Sequence, residues 1–268
     1  MNFIKNYVST FSFIFQTLLF LVFSSPVFAS SIVSGGAMTL NIDSTALEAA
    51  FSYDYSERPS FYVEEYFDAA QAASRTYSQL KSDHIVPGTG GISSTGLVFA
   101  VNGTTASGFN KANDFSFNAN DLTATAEGAI GLGGAIRYRI DKSFSIHPDT
   151  GEEISNRALN GYMTLEYDAS RAGSTGYSGW VLYNHYDYRA DIFDLVNVST
   201  ILTDNSLALT GDLALSSAFF HMGGTTGSIV GDFSFQTTVV PVPAAVWLFA
   251  SGLAGLFVNQ RKQKALAV

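Results

Sequence analysis

The chain contains no cysteine. It can therefore have no disulfide, no thiol nucleophile and no lipid-modified cysteine, and its stability must come from the burial of apolar area. Histidine is scarce, and no two of the four histidines are three or four residues apart, so a zinc site has no support. The sequence also lacks a phosphate-binding loop, a dinucleotide-binding glycine motif and the nucleophile elbow of hydrolases. These absences favour a protein that is not an enzyme.

Basic residues are also few. The chain has 14 Lys and Arg residues against 23 Asp and Glu residues. Four of the basic residues, Lys5, Arg261, Lys262 and Lys264, lie near the two ends of the chain, so the central part is more acidic still. Such a surface repels phosphate backbones, and nucleic acid is therefore not an expected partner.

The first 29 residues have the order of a secretory signal peptide. Lys5 is the only charged residue before Asp43, an apolar run follows at 11–23, and Pro26 precedes the small-residue end Val27-Phe28-Ala29. A charged start, an apolar centre and a small-residue cleavage site define such peptides. We expect a signal helix at 1–29 and cleavage after Ala29.

A second apolar segment lies near the C-terminus. It runs without a charge from Val239 to Val258 and is followed by the basic residues Arg261, Lys262 and Lys264. An uncharged stretch of about 20 residues before a basic cluster predicts a transmembrane helix whose C-terminal end is cytoplasmic. Only about 15 apolar residues follow Pro243, or about 22 Å of helix, which is short for a hydrocarbon core of about 30 Å. The segment therefore suits a temporary anchor.

This segment resembles the PEP-CTERM sorting signal, the bacterial tail that exosortases recognise. The resemblance depends on Pro241, Val242, Pro243, the Trp247-Leu248-Phe249 run and the Arg261-Lys262 pair. Val242 stands where the signature often has Glu. The resemblance implies an exosortase partner, anchoring in the inner membrane before processing, and delivery to the cell surface or to the exopolysaccharide-containing biofilm matrix. It implies no activity for the exported part.

The domain boundaries follow from these two ends. Residues 1–29 are the expected signal peptide, 30–238 the exported domain, and 239–264 the sorting signal. From about residue 92 onward, short apolar or alternating runs are separated by Gly, Asn and Asp, which predicts an antiparallel β-sandwich or barrel. The predicted strands are 38–42, 96–101, 115–119, 122–126, 130–138, 162–167, 180–183, 192–198, 207–215 and 229–235.

Residues 61–81 predict the one substantial helix of the domain. The segment has no Gly or Pro, and Val63, Phe67 and Ala70 recur at helical spacing. Ser60 is a suitable N-cap residue.

A structural calcium ion is one open alternative for the acidic loops. Asp187, Asp191 and Asp194 lie near Asn184 and Asn197 in the sequence, and carboxylate and amide oxygens are ligands that Ca²⁺ prefers. However, the chain has no EF-hand loop, and Asp is common at turns in any acidic sheet protein. No other cofactor is expected.

Aromatic residues are concentrated around Trp180 and Tyr183, which are candidate contacts for a sugar because flat rings stack on sugars. Strand propensity and core filling explain the same residues without a ligand. The leading interpretation is a non-enzymatic surface or matrix protein. The alternatives are a glycan-binding module for exopolysaccharide and a hydrolase on a β-scaffold.

Gly211-Asp212-Leu213 and Gly231-Asp232-Phe233 share a form that we interpret as two strand starts with the same turn chemistry.

Overall fold

The computed structural model describes residues 30–51, 61–81, 93–105, 110–140, 157–173, 176–186, 189–203, 205–220 and 223–241. Residues Ser31–Pro241 belong to one compact unit. The strands are β1 (Ser30–Ile42), β2 (Phe61–Phe67), β3 (Leu97–Val101), β4 (Ser116–Asn118), β5 (Ile130–Gly133), β6 (Ala135–Ile140), β7 (Arg157–Gly161), β8 (Thr164–Tyr167), β9 (Tyr177–Asn184), β10 (Ala190–Thr203), β11 (Ser206–Leu215) and β12 (Ile229–Pro241). The helices are α1 (Ser44–Ala50), α2 (Ala69–Ala73), α3 (Tyr77–Lys81), α4 (Leu122–Thr125) and α5 (Ser217–Phe220).

Two predicted helices fall largely outside this description. The signal helix at 1–29 lies outside the described residues, as does the membrane segment beyond Pro241. The helices that are described are short, and none of them could span a bilayer.

Eight strands form a closed antiparallel barrel. Their order around the ring is β12, β11, β10, β9, β8, β5, β3 and β1, and β12 pairs again with β1. Ser31 pairs with Pro241 and Met38 with Phe235, so the first and last strands of the domain lie side by side. The mainly β prediction is confirmed, and of the two predicted architectures the barrel is the one observed.

Alternating side chains fill the barrel interior. Met38 and Leu40 of β1 are fully buried, as is Leu209 of β11, while Phe233 and Phe235 of β12 are 2% and 1% exposed. Successive strand residues point to opposite faces, so every second residue enters the core. Each such side chain contributes about 1.5–3 kcal/mol, which is how a domain without disulfides is stabilised.

A second sheet of three strands, in the order β2-β6-β7, packs against the barrel. Phe61 of β2 stacks on Phe51, which follows α1, with ring centroids 3.9 Å apart. The Tyr66 hydroxyl donates a hydrogen bond to the carbonyl of Val98 on β3. Apolar stacking and this hydrogen bond join the two sheets.

Gly134 divides the strand predicted at 130–138. Its φ of +127° is a conformation that other residues rarely adopt, and a Cβ there would lie 2.8 Å from the Phe99 ring. The chain leaves the barrel after β5 and enters the three-stranded sheet as β6. One predicted strand is therefore two strands in different sheets.

The predicted helix at 61–81 is wrong. Residues 61–67 form β2, which pairs with β6, and only α2 and α3 are helical. Asp68 starts α2 as its N-cap, and Gln71 completes a capping box with it. The helical spacing of Val63 and Phe67 also fits a strand with the bulge found between Val63 and Glu65, and pairing with β6 decides between the two.

The strand predicted at 122–126 is also wrong, because Leu122–Thr125 form the short helix α4. The Asp121 side chain accepts a hydrogen bond of 3.2 Å from the backbone N–H of Ala124. This N-cap favours a helical turn over the alternating pattern.

Candidate functional site

A cluster of charged side chains surrounds Glu64 on β2. Arg137 Nε donates to Glu64 Oε2 at 2.7 Å, Arg139 Nη1 donates to Oε1 at 2.8 Å, and Arg157 Nε donates to Oε2 at 2.8 Å. A second bond of 3.0 Å joins Arg157 Nη2 to Oε1. The three arginines come from β6 and β7, so strand pairing brings all of them to one carboxylate.

Glu64 and Arg137 are almost completely buried, with 3% and 1% exposed surface. Burial raises the pKa of Glu64, but the hydrogen bonds and positive charges of Arg157 and Arg137 outweigh this, and the pKa is lowered. Arg137 also donates to Glu65 and to the carbonyl of Leu80 on α3. Its guanidinium is thereby fixed between the sheet and the helix.

Two further cations lie on the segment that follows β2. The Arg75 guanidinium lies 5.2 Å from the centre of the Phe67 ring, and Lys81 Nζ lies 4.5 Å from the centre of the Tyr77 ring. We call the five residues Arg75, Lys81, Arg137, Arg139 and Arg157 the basic ridge.

Among the described residues, the ridge carries a charge opposite in sign to that of the remainder. Of the eight Lys and Arg residues in the described structure, five are in the ridge, against three acidic residues on the same elements, Glu64, Glu65 and Asp68. The remaining described residues contain three basic and eleven acidic side chains. Counted over the described residues alone, the three-stranded sheet is net positive and the barrel is negative.

Sequence reasoning did not find this site. Its signals were the alternation of Arg137 and Arg139 along a strand and the placement of Glu64 in an aromatic run. Both became visible only once 61–67 was known to be a strand.

Two of the aspartates that were considered as calcium ligands, Asp191 and Asp194, are paired with Arg171. Arg171 Nη2 donates to Asp191 Oδ2 at 2.6 Å, and its Nη1 donates to Asp194 Oδ1 at 2.8 Å. Burial raises the pKa of Asp191, but hydrogen bonds from Ser216, Ser217 and Arg171 lower it to about 2. The guanidinium occupies the position between these carboxylates.

The other calcium candidates point elsewhere. Asn184 Oδ1 accepts a hydrogen bond from Gly161 N at 2.9 Å, Asn197 Nδ2 donates to Asp212 at 2.7 Å, and Asp187 lies outside the described residues. In the part of the chain that is described, no three His, Cys, Asp or Glu residues are grouped so as to hold a metal ion.

Trp180 and Tyr183 are interior residues. Trp180 is 2% exposed and packs between Phe115 and Tyr167, with ring centroids 5.5 and 5.4 Å away. Tyr183 is 6% exposed and is covered by the Arg189 guanidinium, 3.6 Å from its ring centre. A sugar ring needs an open aromatic face, and these residues do not present one.

The Gly-Asp pattern shared by Gly211-Asp212 and Gly231-Asp232 does not mark two strand starts, because Gly211 lies within β11. Asp212 pairs directly with Asp232 of β12, on the outer face of the barrel. Asn41 Nδ2 donates to Asp232 at 2.7 Å, as Asn197 does to Asp212. The two amides offset the repulsion between neighbouring carboxylates, and the pair faces outward rather than into a pocket that a hydrolase would need.

His185 lies in a polar cluster beside β8. The Thr164 hydroxyl is 2.6 Å from Glu166 Oε1 and 2.9 Å from His185 Nε2. Burial, together with the charge of Lys111, lowers the pKa of His185 to about 4 despite the opposing effect of Glu166. The imidazole is therefore neutral at pH 7, and the buried Thr164 hydroxyl lies between it and Glu166.

Of the sorting-signal residues, Pro241 ends β12, and Val242, Pro243, Trp247, Arg261 and Lys262 lie outside the described residues, as does Ala29.

No family model matches the chain, and no curated protein is similar to it. Among solved structures, it is similar to the C-terminal domain of HtaA from Corynebacterium glutamicum, with 10% identity and a TM-score of 0.41 over 78% of this chain and 99% of that one. A similarity of this degree carries no argument about what the chain binds or does.

Proposed function

We propose that the chain is an exported protein of the bacterial surface or extracellular matrix, sorted by its C-terminal segment through an exosortase. In this proposal the barrel is a structural or binding body rather than a catalyst. The membrane is a temporary partner, contacted before processing through the part of the sorting signal (239–264) that follows β12.

The observation that carries the proposal is the pairing of Ser31 with Pro241. Ser31, the second residue after the expected signal peptide, lies beside Pro241, the third residue of the expected sorting signal. Because the first and last strands of the barrel domain are paired, a leader can be removed from its N-terminal end while a tail holds its C-terminal end. Neither event requires the strands of the sheet to separate. This geometry is compatible with a domain that is processed at both ends.

Cell fractionation and mass spectrometry of the mature protein test the proposal. In cells that contain an exosortase, we expect a first residue at Ser30 and a shortened C-terminus in the surface or matrix fraction. The double substitution Arg261→Gln/Lys262→Gln should leave the protein in the inner membrane, whereas Lys264→Gln should be delivered normally. Recovery of the wild-type chain only as a full-length inner-membrane protein would contradict the proposal.

A further inference from the structure

We propose that the C-terminal part of β10, residues 199–203, pairs in antiparallel fashion with the same residues of a second copy of this chain. Two barrels would then form a symmetric dimer through this segment, which we call the β10 edge. The contact is additional to the proposed surface or matrix role. It concerns only residues of the compact unit, so it can be tested independently of export.

The β10 edge extends beyond one of the two strands that neighbour β10. The pairing with β9 ends at Val196, opposite Tyr177, whereas the pairing with β11 continues to Thr203, opposite Ser206. Among the described strands, none pairs with residues 199–203 on the side away from β11. A strand in this position presents backbone N–H and C=O groups that can bond to a strand of another chain.

The side chains of the β10 edge do not oppose such pairing. Proteins commonly protect an exposed edge with Lys, Pro or a bulge. Residues 199–203 have the sequence Ser-Thr-Ile-Leu-Thr, without a charge, and the bulge that follows Val196 lies before them. Ile201 is 64% exposed, more than any other large apolar side chain of the described residues. The segment is therefore open, rich in β-branched residues and suited to strand addition.

The sheet surface beside the β10 edge is also uncharged. The residues in register with Ile201 and Thr203 on the next two strands are small or neutral, namely Ser206 and Ala208 in β11 and Gln236 and Thr238 in β12. The whole chain has a net charge of −9, so two copies repel each other where their acidic surfaces meet. The centres of protein interfaces are depleted in charged residues, and this part of the surface meets that condition.

Pairing centred on Ile201 makes the contact two-fold symmetric. Ile201 then lies opposite its own counterpart, and Ser199 lies opposite Thr203 of the other copy. Cross-strand pairs of this kind stabilise a sheet, and a two-fold interface uses the same patch on both copies. Asp204, in the turn after β10, lies outside the described residues. In this register the two copies of Asp204 are six residues apart along the strands, or roughly 20 Å, and do not face each other.

The size of the β10 edge predicts a weak dimer. Five residues from each copy are far fewer than the roughly 20–30 residues that each side of a standard interface contributes. Association should therefore depend on a high local concentration, such as two copies held on one membrane or in one matrix would have.

Cross-linking through single cysteines tests the contact, because the natural chain has no cysteine. A disulfide requires Cα atoms within about 7 Å of each other, which is the case at the centre of the proposed pair. On mild oxidation of the full-length chain, Ile201→Cys should form a linked dimer at least about tenfold faster than Val98→Cys. Val98 is the matched control, because it is also apolar, is 46% exposed and lies on β3.

Two further variants test the register. In the proposed pair Ser199 and Thr203 each lie about 13 Å along the strands from their own counterparts but directly opposite each other. Ser199→Cys alone and Thr203→Cys alone should therefore give little dimer, whereas an equal mixture of the two should give the mixed dimer. All four substituted positions are exposed, so the fold should be retained, which circular dichroism checks.

Three results would overturn the proposal: dimers of Ile201→Cys that form no faster than those of Val98→Cys, equally fast dimers of Ser199→Cys alone, or no mixed dimer from the mixture. Salt supplies a fourth criterion. Because the two copies have like charge, raising the salt concentration should maintain or increase cross-linking through Ile201→Cys. A marked decrease would show that ionic contacts between other surfaces hold the copies together, and would contradict strand pairing at the β10 edge.

Discussion

At the scale of single residues, Glu64 illustrates why the sequence did not predict the charged cluster on β2, β6 and β7. A glutamate among aromatic residues is compatible with an exposed position on a helix, and nothing near it in the sequence indicates burial. Its partners Arg137 and Arg157 are 73 and 93 residues away. Local periodicity cannot report such contacts, so the sequence predicted neither the buried carboxylate nor its arginines.

Glu64→Gln should destabilise the protein by about 3–5 kcal/mol, because it removes the charge of the buried carboxylate to which three guanidiniums donate. Glu65→Gln is the matched control: Glu65 is 34% exposed and has one arginine partner, so its loss should cost about 1 kcal/mol or less. Urea unfolding at neutral pH measures both.

The pH dependence of the free energy of unfolding provides a second test of the role of Glu64. The folded-state pKa of Glu64 is lowered, so its contribution is present above about pH 4.5, the ordinary value, and is lost as the pH falls through the lower folded value. The Gln variant should lack this acid-induced loss. Equal stabilities of the two variants would contradict the assignment.

At the scale of elements, alternation in the sequence was a good guide to long strands and a poor guide to short segments. The strands predicted at 207–215 and 229–235 lie within β11 and β12, because a half-buried strand shows its period directly. The segments 61–81 and 122–126 were assigned wrongly, since caps and sheet pairing override a short pattern. Bulges and chain reversals at glycine were not predicted, because they depend on the neighbouring strand.

Gly36 is a glycine at one of these bulges. It has a φ of +115° beside the β1 bulge, and a Cβ there would lie 2.3 Å from the carbonyl oxygen of Gln236. Gly36→Ala should destabilise the protein by about 2 kcal/mol or more, through strain and displacement of β12. Gly103→Ala is the control, because its Cβ would meet open space and its φ is ordinary. Thermal unfolding should show the control within about 1 kcal/mol of the wild type.

At the scale of the whole molecule, the closure of the barrel is the feature least accessible to sequence reasoning. Met38 and Phe235 are almost 200 residues apart, and their pairing decides between a sandwich and a closed ring. The sequence predicted both strands but could not predict that they are neighbours. The same closure brings the start and the end of the domain together, on which the proposed function depends.

Substitutions of Val239 and Val240, which are neighbours in β12, test the closure of the barrel. Val239 is 4% exposed and Val240 is 53% exposed, as alternate residues of β12 should be. Val239→Asp should therefore destabilise the protein by about 3–5 kcal/mol by burying a carboxylate, whereas Val240→Asp should cost about 0.5 kcal/mol or less. Urea unfolding of the full chain measures both, and similar losses in the two variants would show that β12 does not close the ring in this register.

The position of β12 between β1 and β11 also has a mechanical consequence. A force that is applied at the Pro241 end of β12, directed along the strand and opposed by the body of the barrel, acts parallel to both neighbouring strands. The ladders on either side are then loaded in shear, and many hydrogen bonds must fail together instead of unzipping singly. A domain held in a moving matrix by its last strand would resist detachment for this reason.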